Sequence, residues 1–321
     1  MKRLVVHVGL QRAGSTTIQR LLERRRDELA GHGVKVVLRG DLEALRPTPR
    51  LADLRRWTAR SASTIGSVRE ATQVVISEEN LLGRIPDHAH AASSYSGHRW
   101  ALRALRLAET LNDVHVRWIV RRHDRLLESI YTFRVSGGST EDFDSFAARV
   151  GPGLRWAGVG RAFAHSGLRD VRIRLFEDLF LDPSEARLGA LLLLPGSECW
   201  TEPPPRGNAA LPWSLSQALL YLNRAADLRK DERRPTRRAL RSFATERELP
   251  SADELAHAFE ERGVSRLRSL AESALSFARE QRAAAFTDEQ RRTYLRSVAD
   301  DQRDLLALPI VDGDRALWSE P

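Results

Sequence analysis

The chain has 321 residues and a mass of 36.2 kDa, enough for one large domain or two small ones. With 42% hydrophobic and 29% charged residues it can bury a substantial core, and its single cysteine, Cys199, excludes a disulfide framework or a cysteine-built zinc or iron–sulfur site. The net charge is +8, and all but three of the 51 basic residues (Lys2, Lys35 and Lys230) are arginines, whose guanidinium fork suits phosphate and sulfate.

No run of 18 apolar residues occurs, so no membrane span is expected. The apolar stretch after Met1-Lys2-Arg3 is too short for a signal peptide and lacks a cleavage site, which makes the cytoplasm the expected compartment. In chain order, Leu4–Gly9 reads as a buried strand and Thr16–Ala30 as a helix stopped by Gly31 and Gly33. Val34–Leu38 and Gln73–Ser77 read as strands, Trp100–Leu111 as a helix, His115–Arg121 as a strand, Arg125–Val135 as a helix and Val171–Phe176 as a strand. The strands are continuous apolar runs, not alternating ones, as in a parallel sheet covered on both faces. Alternation of strand and helix predicts an α/β doubly wound fold with a central parallel five-stranded sheet.

Beyond Trp200 the pattern changes. Glu202 to Asn208 is a stiff, proline-rich connector, and only helices are expected after it. Leu211–Asn223 is one; Ser251 with Glu254, and Thr287 with Gln290, are capping-box starts. This divides the chain into an α/β core over 1–205 and a helical extension packed on it over 206–321. From Arg224 to Arg241 there are eight basic and three acidic residues. These charges are not expected to share one periodic face, which argues against specific nucleic-acid binding and for a solvated helix or a homodimer contact.

Gly9-Leu10-Gln11-Arg12-Ala13-Gly14-Ser15-Thr16 joins the first strand to the first helix, the context in which a glycine loop cradles an anion. Gly14 allows close approach of backbone amides, and Ser15, Thr16 and Thr17 add hydroxyls where the helix dipole favours negative charge. Against the pattern G-x-x-x-x-G-K-[ST], the glycines and the final hydroxyl fit, but Ser15 stands where a triphosphate kinase needs lysine.

His7 to Gln19 resembles the 5′-phosphosulfate loop of sulfotransferases that use 3′-phosphoadenosine 5′-phosphosulfate (PAPS). That loop usually reads P-K-[ST]-G-[ST]-[ST]; here Gln11 replaces the proline and Arg12 the lysine. A second element supports the resemblance: Arg121 at a strand end and Ser129 eight residues later match the family's 3′-phosphate contacts. Three further segments are similar to the family: Val75 to Leu81 with its S-E-E-N-L, Leu175 to Leu179, and Asn208 with Ser214-Leu215-Ser216. The likeness covers roughly residues 4–223.

The resemblance implies a P-loop-like, bacterial-type sulfotransferase that moves a sulfuryl group from PAPS to a hydroxyl or amine of a small-molecule, carbohydrate or lipid acceptor, releasing PAP without a metal. It implies that Gln11, Arg12, Ala13, Gly14, Ser15, Thr16, Thr17, Arg121, Ser129 and Arg206 hold the cofactor. Arg12 would neutralise the leaving phosphate, and Glu78 or Glu79 would serve as general base. His88, His90 and His98 are candidates to line an acceptor loop, while His7, inside the first strand, is expected to pack near the site. Trp57, Trp100, Trp156, Trp200 and Trp213 are candidates for stacking, with none assigned. The rival readings are a nucleotide-dependent P-loop kinase and a catalytically impaired PAP-binding protein.

Overall fold

The structure, a computed structural model, describes residues 1–9, 11–38, 41, 71–83, 97–205, 211–244, 249–281 and 284–319. The chain opens with β1 (Lys2–Gly9), α1 (Ser15–Arg24), α2 (Arg26–Gly31), β2 (Val34–Leu38) and β3 (Gln73–Ser77). It continues through α3 (His98–Glu109), β4 (Asn112–Val120), α4 (His123–Ser136), α5 (Phe143–Val150), α6 (Ala157–Ala164), β5 (Asp170–Leu175), α7 (Phe176–Leu181) and α8 (Glu185–Leu191). It ends with α9 (Trp213–Ala226), α10 (Lys230–Arg241), α11 (Ala252–Glu261), α12 (Ala271–Glu280), α13 (Asp288–Ser297), α14 (Ala299–Leu306), β6 (Val311–Asp312) and α15 (Ala316–Ser319). No described helix is long and apolar enough to cross a membrane.

The described strands form one parallel sheet in the order β2-β3-β1-β4-β5-β6. Its strands are apolar because both faces are covered: Val5, Val6 and Val8 of β1, Val74 and Val75 of β3, and Val116, Trp118 and Ile119 of β4 are all buried. The sheet has six strands where five are expected. The sixth, β6, is two residues long and too short to show a pattern; Ile173 pairs with Val311, and the Ile173 N–H donates to Ile310 O at 2.8 Å. The fold is thus α/β, a parallel sheet whose strands alternate with helices, with a run of further helices between β5 and β6.

The expected helix over 16–30 is two helices. It breaks at Arg25, whose φ and ψ are −95° and 9°. The arginines around the break turn to different acids. Arg24 and Arg25 both grip the carboxylate of Glu185, which is buried on α8, while Arg26 reaches Glu23 at 2.7 Å.

Two compact units divide the chain. One comprises 1–122, 153–208 and 298–321, and the other 123–152 and 209–297. They interleave in sequence, where the sequence reading draws a single line after 205. The first unit contains the sheet. The second is helical, with Tyr131, Phe143, Phe146, Trp213 and Phe286 forming a connected aromatic cluster at ring-centroid separations of 4.8–5.6 Å. Both predicted capping boxes form in this unit. Ser251 Oγ accepts from Glu254 N at 3.2 Å and Glu254 Oε2 accepts from Ser251 N at 2.7 Å; Thr287 and Gln290 exchange the equivalent pair at 3.2 and 3.0 Å.

Within the first unit, β1 has β3 on one side and β4 on the other, and the later strands all lie beyond β4. Chain progress therefore reverses between β1 and β4. The carboxyl ends at such a reversal are where open parallel sheets place their ligands. Gly9 sits in register with Ile119, so the two ends are flush and the loop after β1 emerges beside Arg121.

Candidate functional site

The loop leaving β1 turns on two left-handed residues, Arg12 (φ 71°) and Gly14 (φ 84°). Glycine tolerates that conformation; arginine pays about 1 kcal/mol or more for it and needs surrounding structure to hold it. Arg121 supplies one restraint: its Nη1 donates to the Arg12 carbonyl at 3.0 Å. Gln11 supplies another, its Nε2 donating to Asn80 Oδ1 at 2.5 Å and to Gly83 O at 3.1 Å. Asn80 in turn donates from Nδ2 and from its backbone N–H to Glu78 Oε1, at 2.9 and 2.8 Å. A chain of hydrogen bonds thus runs from the β1 loop through Gln11 and Asn80 to Glu78, at the end of β3.

Gly14 caps α1. Thr17 N–H and Ile18 N–H donate to its carbonyl, at 2.9 and 3.2 Å, and the amides ahead of them point off the helix end, the geometry in which a helix receives an anion. Thr16 and Thr17 are half-buried, whereas Ser15 and Ala13 are buried. Ser15 faces inward: a Cβ added to Gly9 would lie 2.2 Å from Ser15 Oγ and 3.2 Å from His7 Cε1. Gly9 is small because the strand end, the helix start and His7 converge there.

His7 is fully buried, with Nδ1 2.8 Å from Ser77 Oγ, its register partner on β3. Burial holds its pKa down to about 4, so the ring is neutral at pH 7. His7 Nε2 and Gln11 Oε1 are buried without a hydrogen-bond partner among the described residues. A buried polar atom left so costs about 1–3 kcal/mol, and the loop therefore favours an occupant that pairs with such atoms.

Arg121 also stacks its guanidinium over Phe176, 4.6 Å from the ring centroid, and Phe176 stacks on Phe180 at 4.5 Å. Phe180 closes one side of Gly14, where an added Cβ would meet its ring at 2.6 Å. Glu177, between the two phenylalanines, accepts from Arg122 N at 3.2 Å and from Trp318 Nε1 at 2.8 Å. This aromatic layer was not expected. Phe176 and Glu177 fall inside the segment similar to the family, but nothing local marks them as partners of Arg121 and Arg122.

The structure brings together the β1 loop, Arg121, Glu78 and Asn80. Glu79 is half-buried beside Glu78. Ser129 is buried on α4, which belongs to the second unit. Arg206, His88, His90 and Trp57 lie outside the described residues. His98 starts α3, and Trp100 on the same helix is exposed. Trp156 donates from Nε1 to Arg121 O at 3.3 Å, and Trp200 donates to Glu28 Oε1 at 2.8 Å with Arg25 stacked on its ring. Trp213 sits in the aromatic cluster of the second unit. Among the described residues no three His, Cys, Asp or Glu side chains gather as a metal site would.

The geometry defines an α/β protein with a basic, hydroxyl-bearing loop at the switch point of a parallel sheet. No protein-family model matches the chain, and no curated protein matches it.

Proposed function

We propose that the chain is a PAPS-dependent sulfotransferase acting on a hydroxyl or amine of a small-molecule, carbohydrate or lipid acceptor. The observation that carries this reading is the meeting of the β1 loop with Arg121 at the carboxyl ends of β1 and β4, through the 3.0 Å bond to Arg12 O. Two features identified separately in the sequence thereby come into contact. The donor set fits a doubly phosphorylated nucleotide: helix-start amides, the Thr16 and Thr17 hydroxyls, and the guanidinium groups of Arg12 and Arg121. The orphaned Gln11 Oε1 supports an occupant at the same loop.

PAPS, when bound, supplies an activated sulfuryl group and leaves as PAP. The loop amides, that of Ser15 among them, with the Thr16 and Thr17 hydroxyls would hold the 5′-phosphate and Arg121 the 3′-phosphate. Arg12 would stabilise charge developing on the leaving phosphate, the kind of preorganised electrostatics that dominates such transfers. Glu78 or Glu79 would take the acceptor's proton. Glu78 is favoured by its setting: Asn80 fixes the carboxylate through Oε1, and Oε2 makes no hydrogen bond among the described residues. The cell compartment proposed is the cytoplasm.

One observation favours a second reading. Arg12 stands where the resembled loop has lysine, and its carbonyl is taken by Arg121, so a PAP-binding protein without turnover is the alternative. Incubation with labelled PAPS and a panel of hydroxylated and amino acceptors separates the two. The proposal expects label on at least one acceptor; PAP binding with no transfer to any acceptor favours the alternative. Stabilisation by ATP with magnesium but not by PAP would discard both for a kinase.

A further inference from the structure

The basic residues of 224–241 do not all share one face, but four of the five arginines of α10 do; the fifth, Arg233, turns away to donate to Leu228 O and Gly137 O. Arg234, Arg237, Arg238 and Arg241 fall at positions i, i+3, i+4 and i+7 of the helix, a single ridge. Glu232, Thr236, Ala239 and Leu240 form the opposite, buried ridge. The four guanidinium groups are strung along about 10 Å of helix at 1.5 Å rise per residue.

Several described arginines reach an acid far along the chain. Arg117 pairs with Asp170, Arg266 with Glu232 and Arg291 with Glu128. Arg234, Arg237 and Arg238 find none among the described residues. Among the described residues most nearby acids are engaged elsewhere, and Asp231, one turn before Arg234, makes no ion pair with the ridge. Glu232 faces Arg229 and Arg266; on α11, which packs against α10, Glu254 closes its capping box, Glu260 holds Arg268 and Glu261 faces His257. Arg237 is half-buried, and its Nε is buried without a hydrogen-bond partner. Burial first, then repulsion from Arg241, Arg234 and Arg238, lowers its pKa from the usual arginine value. Like charges held this close raise the energy of the ridge, and an oxyanion relieves it by charge-assisted hydrogen bonds.

We infer that the ridge of Arg234, Arg237, Arg238 and Arg241 is a binding site for the phosphate or sulfate groups of an anionic ligand. Its length suits two adjacent oxyanion groups in preference to one. The inference uses no residue of the β1 loop and stands whether or not that loop binds PAPS.

The test is a calorimetric titration of the full chain with pyrophosphate at constant ionic strength. It compares the wild-type chain with Arg12→Ala, with Arg237→Lys and with the double variant Arg234→Ala/Arg238→Ala, whose two side chains are exposed. Circular dichroism confirms that each variant is folded. The double variant should bind pyrophosphate about tenfold more weakly or worse, as expected for losing two charge-assisted contacts. Arg237→Lys should fall between, because the charge remains and the fork does not. Arg12→Ala should keep the binding component that the double variant loses. Absence of pyrophosphate binding in the wild-type chain, or binding that the double variant leaves unchanged, overturns the inference. Co-sedimentation with phosphatidylcholine vesicles, with and without a bisphosphorylated inositol lipid, then assigns the source. Pelleting that needs the lipid and is lost in the double variant points to a headgroup; pyrophosphate binding without pelleting points to a free phosphate ligand.

Discussion

Gly14 carries two demands at once, a left-handed φ of 84° and contact with the Phe180 ring. Alanine there meets both a backbone penalty of about 1–2 kcal/mol and a ring that must move. Gly14→Ala should therefore destabilise the chain by about 2 kcal/mol or more in urea unfolding, and should abolish PAP binding. The need for glycine at the turn is legible in the sequence, since the loop lies between an apolar strand and a hydroxyl-rich helix start. The Phe180 contact is not, because nothing in the loop specifies which distant ring will cover it. His7 yields a second residue-level prediction. Its folded pKa of about 4 lies below the ordinary 6.5, so between those values the unfolded chain binds a proton that the native chain refuses. The stability it contributes is complete above pH 6.5 and is lost as pH falls toward 4, up to about 3 kcal/mol. His7→Gln, which keeps a partner for Ser77, should flatten the urea midpoint over that window relative to wild type; an unchanged slope would place the titration elsewhere.

At the scale of elements, β4 and β5 are fastened by charge as well as by their ladder. Arg117, buried on β4, donates from Nη2 to Asp170 Oδ2 at 2.7 Å and from Nε to Leu191 O at 3.0 Å; His115 Nδ1 lies 2.5 Å from the same carboxylate oxygen. Burial alone would raise the Asp170 pKa, but hydrogen bonds from Arg117 and His115 outweigh it and hold the group near 2. That contribution is present above pH 3.8 and disappears as pH falls toward 2. Asp170→Asn strands a buried guanidinium and should cost about 3 kcal/mol at neutral pH, read as a lowered denaturation midpoint. The strand itself is legible in the sequence from Val116, Trp118, Ile119 and Val120. The inward turn of Arg117 is not, since a charged residue within an apolar run looks the same whether its partner exists or not. The capping boxes at Ser251 and Thr287 are legible for the opposite reason: cause and effect lie three residues apart. The pairing of Arg24 and Arg25 with Glu185, far along the chain, leaves no local mark.

At the scale of the whole molecule, the chain revisits its own elements. After the helices of the second unit it returns to the first, where Asp301 accepts from the backbone N–H groups of Trp156 and Ala157 at 2.7 and 3.1 Å and β6 extends the sheet. Trp318 anchors this return: it is buried, donates to Glu177, and its carbonyl accepts from Gln302. Trp318→Ala should cost about 3–5 kcal/mol in equilibrium unfolding, the range for deleting a buried large aromatic; a loss under 1 kcal/mol would show the C-terminal return to be dispensable. The α/β class is legible in the order of strands and helices, whereas the return is not, because two residues of strand carry no periodicity.

The central claim is that the loop after β1 and Arg121 serve one doubly phosphorylated nucleotide. Calorimetric titration of the full chain with PAP, and separately with ATP and magnesium, tests it most directly. The account predicts that PAP binds, that ATP with magnesium does not compete, and that Arg121→Ala weakens PAP at least about tenfold, the loss expected for a charged hydrogen-bonding partner. Binding of ATP with magnesium in the absence of any PAP binding, or PAP affinity indifferent to Arg121→Ala, would contradict it.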